Sequence, residues 1–185
     1  MAGDIPNDAE LMTRLAAGDM AALGDLAKTH QDKVLSLSYR VLGDWHRSED
    51  VAREAFLRVY RAAKRYKPQA KFTTWLYRIV VNLCLDERRK QSKTAATLED
   101  ADPAVLAESE SDAAERKEVV GLVKTAIAEL PERQRMVVIL HRYDGLSHSE
   151  ISEVTGWTQS AVESLLVRGY ANLREKLRKM KDFTK

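Results

Sequence analysis

The chain has 185 residues, 44% of them apolar, and 30 Lys and Arg against 28 Asp and Glu give a formal net charge of +2. This composition suits one or two small soluble domains and excludes a membrane span, because apolar runs such as IVVN and MVVIL fall far short of the roughly 20 residues a bilayer requires. The single cysteine, Cys84, cannot form an internal disulfide and has no metal-ligand pattern beside it, so it reads as a buried thiol in a reducing cytoplasm.

Charge is unevenly distributed along the chain. Residues 1–90 hold 16 basic against 12 acidic side chains, and residues 116–185 hold 13 against 9. Between them, residues 94–115 contain seven acidic residues and no Lys or Arg. Two basic blocks separated by an acidic segment suggest two modules that face polyanions, joined by a linker that avoids them. The N-terminal MAGDIPNDAEL lacks the basic stretch followed by an apolar block that marks a secretory signal.

From the N-terminus, Leu11, Leu15, Leu23, Leu26, Val34, Leu37 and Val41 fall at helical spacings, broken at Gly18-Asp19 and Gly43-Asp44. A second long helix is expected in SEDVAREAFLRVYRAAKRY, with Ser48 as its N-cap and Glu49 and Asp50 suiting the positive end of the helix dipole. Pro68 stops it. After the loop KPQAK, the segment FTTWLYRIVVNLCLDERRK places Phe72, Leu76, Ile79, Val80 and Leu83 on one stripe. Residues 93–115 form the linker, rich in Ala, Ser, Thr, Asp and Glu and interrupted by Pro103. Helical periodicity resumes with Val119, Leu122, Val123, Ile127 and Leu130, and Pro131 opens a helix that ends at Gly145. No alternating strand pattern of any length occurs. The expectation is an all-α chain of two helical domains, residues 1–92 and 116–185, on a flexible acidic tether.

The C-terminal part carries the sharper motif. Ser147-His148-Ser149-Glu150 is a capping box, Gly156 ends the short helix that follows, and Thr158 can cap the next one. A short capped helix, a turn with glycine and a second helix make a helix-turn-helix pattern. On the wheel of the last helix, Val162, Leu165, Leu166, Gly169, Leu173, Leu177 and Met180 share the inner sector. Ser160, Glu163, Ser164, Val167, Arg168, Ala171, Arg174 and Arg178 face outward. Base reading needs short hydrogen-bonding side chains near the helix N-terminus, where Glu can accept from cytosine N4; Thr158, Gln159, Ser160, Glu163 and Ser164 meet that need. Arg168 behind them suits phosphate, as do Arg135 and Arg142 on a neighbouring helix. Arg174, Lys176, Arg178 and Lys179 fit either phosphate contact or a solvated helix end complementing the dipole. Gly169 in a helix interior costs about 1 kcal/mol relative to Ala, which implies close packing there.

In the N-terminal part, basic residues interleave with aromatics. Arg65, Lys67, Lys71, Arg78, Arg88 and Arg89 stand near Tyr66, Phe72, Trp75 and Tyr77, a mixture that can hold backbone phosphates and unstacked bases. Trp75, Arg78, Asn82, Asp86 and Arg89 share one helical flank. Trp75 fits either core packing or base stacking, and Asn82 either a satisfied half-buried amide or a base-edge contact. No nucleophile–base pair, carboxylate dyad, phosphate-cradling Gly loop or metal cluster is legible, so neither an enzyme nor a cofactor is expected.

The pairing of SEDVAREAFLRVYRA with FTTWLYRIVVNLCLDERRK, followed by an acidic linker and LPERQRMVVILHRYDGLSHSEISEVTGWTQSAVESLLVRGYANLREKL, resembles the extracytoplasmic-function (ECF, group IV) sigma factors of the sigma-70 family. The opening DAELMTRLAAGD resembles that family's start. The resemblance implies a region 2-like domain that binds the polymerase β′ clamp helices through Asp50, Arg53, Glu54, Leu57 and Arg58. It also implies capture of a flipped base of the melted −10 element, by the 65–72 loop and the flank of Trp75, Arg78 and Asn82. A region 4-like domain would bind the β flap and read the −35 duplex. The implied partners are core RNA polymerase, promoter DNA and an anti-sigma factor, with a monomeric active form in the cytoplasm. Departures are Arg47 before the Glu49-Asp50 pair, Arg53 where the family has Gln, Glu163 and Leu165 where basic residues are common, and Arg168-Gly169-Tyr170 for Arg-Ala-Arg. A stand-alone helix-turn-helix regulator of duplex DNA is the rival reading, and it leaves the N-terminal domain without a task.

Overall fold

In the computed structural model, residues 7–67, 71–95 and 113–183 are described. They form helices and turns with no strand among them, and the chain divides into two compact units, Met1–Ala101 and Asp102–Lys185. The expectation of an all-α chain in two helical parts holds.

In the N-terminal unit, α1 (Asp8–Ala16), α2 (Met20–Leu42), α3 (Trp45–Ala62) and α4 (Phe72–Ala95) pack around one core, with a 3-10 turn (Ala63–Arg65) between α3 and α4. Each of the first three helices starts on a side-chain cap from Asn7, Asp19 or Asp44. The Arg14 guanidinium, 2.7 Å from Asp19, hydrogen-bonds that capping carboxylate and holds it below its usual pKa, which ties α1 to the start of α2. The cap of α3 differs from expectation. Asp44 accepts from Arg47 N at 3.0 Å, one turn earlier than predicted, while Ser48 lies inside the helix, fully buried, and donates to the Asp44 carbonyl. A serine buried in a first turn satisfies its hydroxyl on the carbonyl four residues back, and the residue that can reach a free N–H then takes the cap.

Leu11, Leu15, Leu26, Val34, Leu37 and Val41 are buried against Val51, Ala55 and Val59 of α3 and Phe72, Leu76 and Val80 of α4. Cys84 is fully buried beside Ser38, and burial pushes its thiol up to about 12, so it stays a protonated small hydrophobe at neutral pH. Helix enters both ends of the segment expected as linker, since α4 runs to Ala95 and α5 begins at Ala113; residues 96–112, Pro103 included, lie outside the described residues.

The C-terminal unit contains α5 (Ala113–Ala128), α6 (Glu132–Arg142), α7 (His148–Thr155) and α8 (Gln159–Phe183). Met136 to Leu140 are buried consecutively, so α6 runs through the middle of this unit, with Ile127, Leu130, Ile151, Val154, Val162 and Leu166 around it. Pro131 occupies the N-cap position of α6 rather than its first helical residue. Gly169 is the contact point between α6 and α8. A Cβ there would stand 2.9 Å from Val138 Cγ2 and 3.5 Å from Gln134 Cβ, which accounts for the glycine despite its helix penalty. Next to it, Asn172 donates to Gln134 Oε1 at 2.8 Å.

Candidate nucleic-acid interface

The helix-turn-helix of the C-terminal unit is set by local chemistry. Ser147 Oγ accepts from Glu150 N at 3.2 Å while Glu150 Oε2 accepts from Ser147 N at 3.0 Å, completing the capping box. Gly156 ends α7 at φ 74°, a left-handed conformation that side chains with a Cβ resist. The turn is then closed by Ser152 Oγ, which donates to Trp157 O at 2.6 Å, and by Trp157 N, which donates to Thr155 Oγ1 at 3.3 Å. Trp157 also lies under the Arg133 guanidinium of α6, 5.2 Å from the ring centre, pinning the turn to the helix behind it. Thr158 Oγ1 accepts from Ala161 N at 3.3 Å and starts α8.

Thr158 before α8 and residues 159, 160, 163, 164, 167 and 168 on it are exposed, while Val162, Leu166 and Gly169 are buried and Leu165, Leu173 and Leu177 are half-buried. Met180 lies where side chains are outside the described residues. The reading edge is therefore short and polar, as the wheel predicts, with one apolar member: Val167 is 71% exposed, the most exposed large hydrophobic side chain described. Glu163 Oε1 lies 3.5 Å from Gln159 Nε2 and 3.7 Å from His148 Nδ1. Arg168 Nε donates to Ser164 O at 3.2 Å. Arg135 departs from expectation. It is 8% exposed and its Nη2 donates to Leu130 O at 2.9 Å, capping the chain end before α6, so it serves the fold and not phosphate. Lys176 and Lys179 are paired with Glu129 at 2.6 Å and Glu175 at 2.8 Å, whereas Arg142, Arg174 and Arg178 are exposed.

In the N-terminal unit, Arg65, Lys67 and Lys71 are exposed around the segment that joins the 3-10 turn to α4; residues 68–70 of the 65–72 loop lie outside the described residues. Arg78, Asn82, Asp86 and Arg89 share an exposed flank of α4. Trp75, at the head of that flank, is half-buried, with its ring 4.9 Å from Tyr66 and 5.8 Å from Phe72. Phe72 in turn meets His30 at 5.2 Å, and His30 Nε2 lies 2.8 Å from Asp8 Oδ1. A cleft of about 280 Å³, lined by Asp8, Tyr66, Lys71 and Phe72, opens beside this aromatic group. Burial raises the Tyr66 hydroxyl pKa, so the phenol is neutral at physiological pH. Arg88 turns away from the flank. It is half-buried, and its Nη1 donates to Val41 O at 3.1 Å, tying α4 to the end of α2.

On α3, Asp50, Arg53, Leu57 and Arg58 are exposed and Glu54 is half-buried, opposite the buried row of Ser48, Val51, Ala55 and Val59. Their charges are locally balanced, Asp50 with Arg53 at 2.7 Å and Glu54 with Arg58 at 3.1 Å. Leu57 and Tyr60 of the same helix are large apolar side chains left 42% and 46% exposed.

Comparison with known proteins now decides the family. A model of Sigma-70 region 2 matches residues 26–94 and a model of Sigma-70, region 4 matches residues 121–173. The chain is 34% identical over 173 residues to the ECF RNA polymerase sigma factor SigW of Bacillus subtilis, covering 87% of this chain and 91% of that one. The chain belongs to the ECF sigma factors. It is also 33% identical over 175 residues to the ECF RNA polymerase sigma-E factor of Escherichia coli, with coverage of 87% and 89%. Among solved structures, CnrH in complex with the cytosolic domain of CnrY superposes at a TM-score of 0.69 and 25% identity, over 95% of this chain and 99% of that one. The sigma factor RpoE of Bartonella quintana, crystallised with the anti-sigma factor NepR, shares the fold at a TM-score of 0.68 and 15% identity, with coverage of 84% and 96%. The matches to both regions of the family set the stand-alone regulator aside. Among the described residues, no helix of this ECF sigma factor is long and apolar enough to cross a membrane.

The sequence reading missed three features of this sigma factor: the His30–Asp8 pair under the aromatic group, the Arg133–Trp157 contact and the approach of His148 to Glu163. Each joins residues from different elements, and sequence spacing carries no signal for such pairs.

Proposed function

We propose that this ECF sigma factor divides promoter recognition between its two units. The C-terminal unit reads the −35 duplex with Thr158, Gln159, Ser160, Glu163 and Ser164 at base edges or the adjoining backbone, and Arg168 on phosphate. The N-terminal unit engages the β′ clamp helices through Asp50, Arg53, Glu54, Leu57 and Arg58. It holds a flipped −10 base near Trp75 and Asn82, with Arg65, Lys67, Lys71, Arg78 and Arg89 along the strand. Arg88 is a structural residue in this scheme, because its guanidinium serves the Val41 carbonyl. The observation that carries the proposal is the exposed polar edge of α8 on a capped and closed helix-turn-helix, with its apolar row buried behind it.

The absence of Lys and Arg from the first turns of α8 fits this division. Short polar groups supply selectivity, and core polymerase supplies much of the binding. Melting needs no hydrolysis: unstacking a base costs a few kcal/mol, roughly, and contacts to the extruded base and the polymerase interface offset it. Work in the cytoplasm and control by an anti-sigma factor belong to the same proposal. Its support is that the similar CnrH and RpoE are described in complexes with the cytosolic domain of CnrY and with the anti-sigma factor NepR. Reconstitution with purified core polymerase on a promoter library tests the scheme. Initiation should depend on this chain and select one −35 and one −10 element. A protein that neither joins core nor directs initiation defeats it.

A further inference from the structure

We infer that His148 is a positioning residue for base recognition by Glu163. The inference rests on the proposed role of α8 at the −35 element and adds to it a residue of α7. His148 is the first residue of α7, where the Ser147–Glu150 box holds the backbone in place. Its ring has neighbours on two other helices. Toward α6 it packs on His141 with ring centres 5.7 Å apart, and His141 Nδ1 lies 2.9 Å from the Tyr170 hydroxyl of α8. Toward the reading edge, His148 Nδ1 lies 3.7 Å from Glu163 Oε1. His148 is thus fixed from behind by the body of the domain and in front meets the one carboxylate on the early reading edge.

At 3.7 Å the His148–Glu163 contact is a charge or water-bridged contact rather than a direct hydrogen bond. Gln159 Nε2, at 3.5 Å, approaches the same oxygen. With both contacts on Oε1, Oε2 is the atom left for an amino donor such as cytosine N4. A glutamate on an exposed helix face otherwise spreads over many rotamers, and that freedom must be lost before it can read a base. A neighbour that limits the carboxylate beforehand lowers the loss. This effect acts through Glu163 at one base pair.

The test is selection from a randomised −35 library by holoenzyme reconstituted with wild type, Glu163→Gln, His148→Leu, His148→Gln or the double variant His148→Leu/Glu163→Gln. Glu163→Gln should alter preference at one base-pair position. His148→Leu should weaken preference at that same position by about two- to five-fold, the range of a partly exposed charge contact, and leave the other positions unchanged. His148→Gln keeps a donor and should recover part of the preference, and it remains informative where His148→Leu folds poorly. The double variant should match Glu163→Gln alone. An intact Glu163-dependent preference in both His148 variants would overturn the inference, as would a uniform loss of affinity over all sequences. If Glu163→Gln moves no position, the reading of Glu163 itself fails and takes the inference with it, a result distinct from the other two.

Discussion

The two surfaces proposed to meet DNA are joined to their cores in different ways. In the N-terminal unit the aromatic group grows out of the interior: Trp75 is half-buried on Tyr66 and Phe72, and Phe72 is 5% exposed against His30. In the C-terminal unit the side chains at positions 159, 160, 163 and 164 stand clear of the core, while caps, a left-handed glycine and a buried apolar row fix the helix beneath them. A strand-opening surface must offer apolar faces to an extruded base, and such faces are stable in water when they are part of a core. A duplex-reading edge needs small polar groups in register, and these can be exchanged without touching the core. On the proposed function, stability and recognition are therefore coupled in the first unit and separable in the second.

The strongest way to break this contrast is Phe72→Ala. Removing a buried aromatic that supports Trp75 and Tyr66 should destabilise the N-terminal unit by about 3–5 kcal/mol and abolish promoter opening together with it. Denaturant unfolding and an opening assay on the same protein check both. A stable variant that fails to open DNA, or an unstable one that still opens it at low temperature, would show that the two are not coupled. Next is Gly169→Val, which drives side-chain atoms into Val138 and should cost about 1–3 kcal/mol, confined to the C-terminal unit. Hydrogen exchange resolved by region locates the loss. Ser147→Ala removes one half of the capping box and should lower stability by about 1 kcal/mol, read from the unfolding midpoint. The smallest effect on stability is expected from Glu163→Lys, within about 0.5 kcal/mol of wild type, while its −35 preference changes. An unchanged preference would place Glu163 in solvent rather than on a base.

Local chemistry was legible in the sequence and long-range chemistry was not. The capping box at Ser147, the turn at Gly156, the apolar row of α8 and the tight contact implied by Gly169 follow from spacing and from what each residue type can do alone. Ser48 was misplaced as an N-cap because Asp44, four residues earlier, competes for the role, and propensity does not separate two good capping residues. Arg135 and Arg88 looked like phosphate contacts because charge patterning assumes exposure. Each guanidinium instead answers a backbone carbonyl, Leu130 O for the one and Val41 O, 47 residues away, for the other. Trp75 resolved between its two readings: it is half core and half surface, and its exposed part heads the flank that carries Asn82.

The division of labour is tested most directly at Asn82, which is exposed on α4 and stands apart from the core. Holoenzyme carrying Asn82→Ala should be compared with wild type in closed-complex binding and in permanganate reactivity of the −10 strand. The account predicts closed complexes close to wild type and a marked loss of open complex. Equal loss in both steps, or no loss in either, would contradict the assignment of this flank to the melted strand.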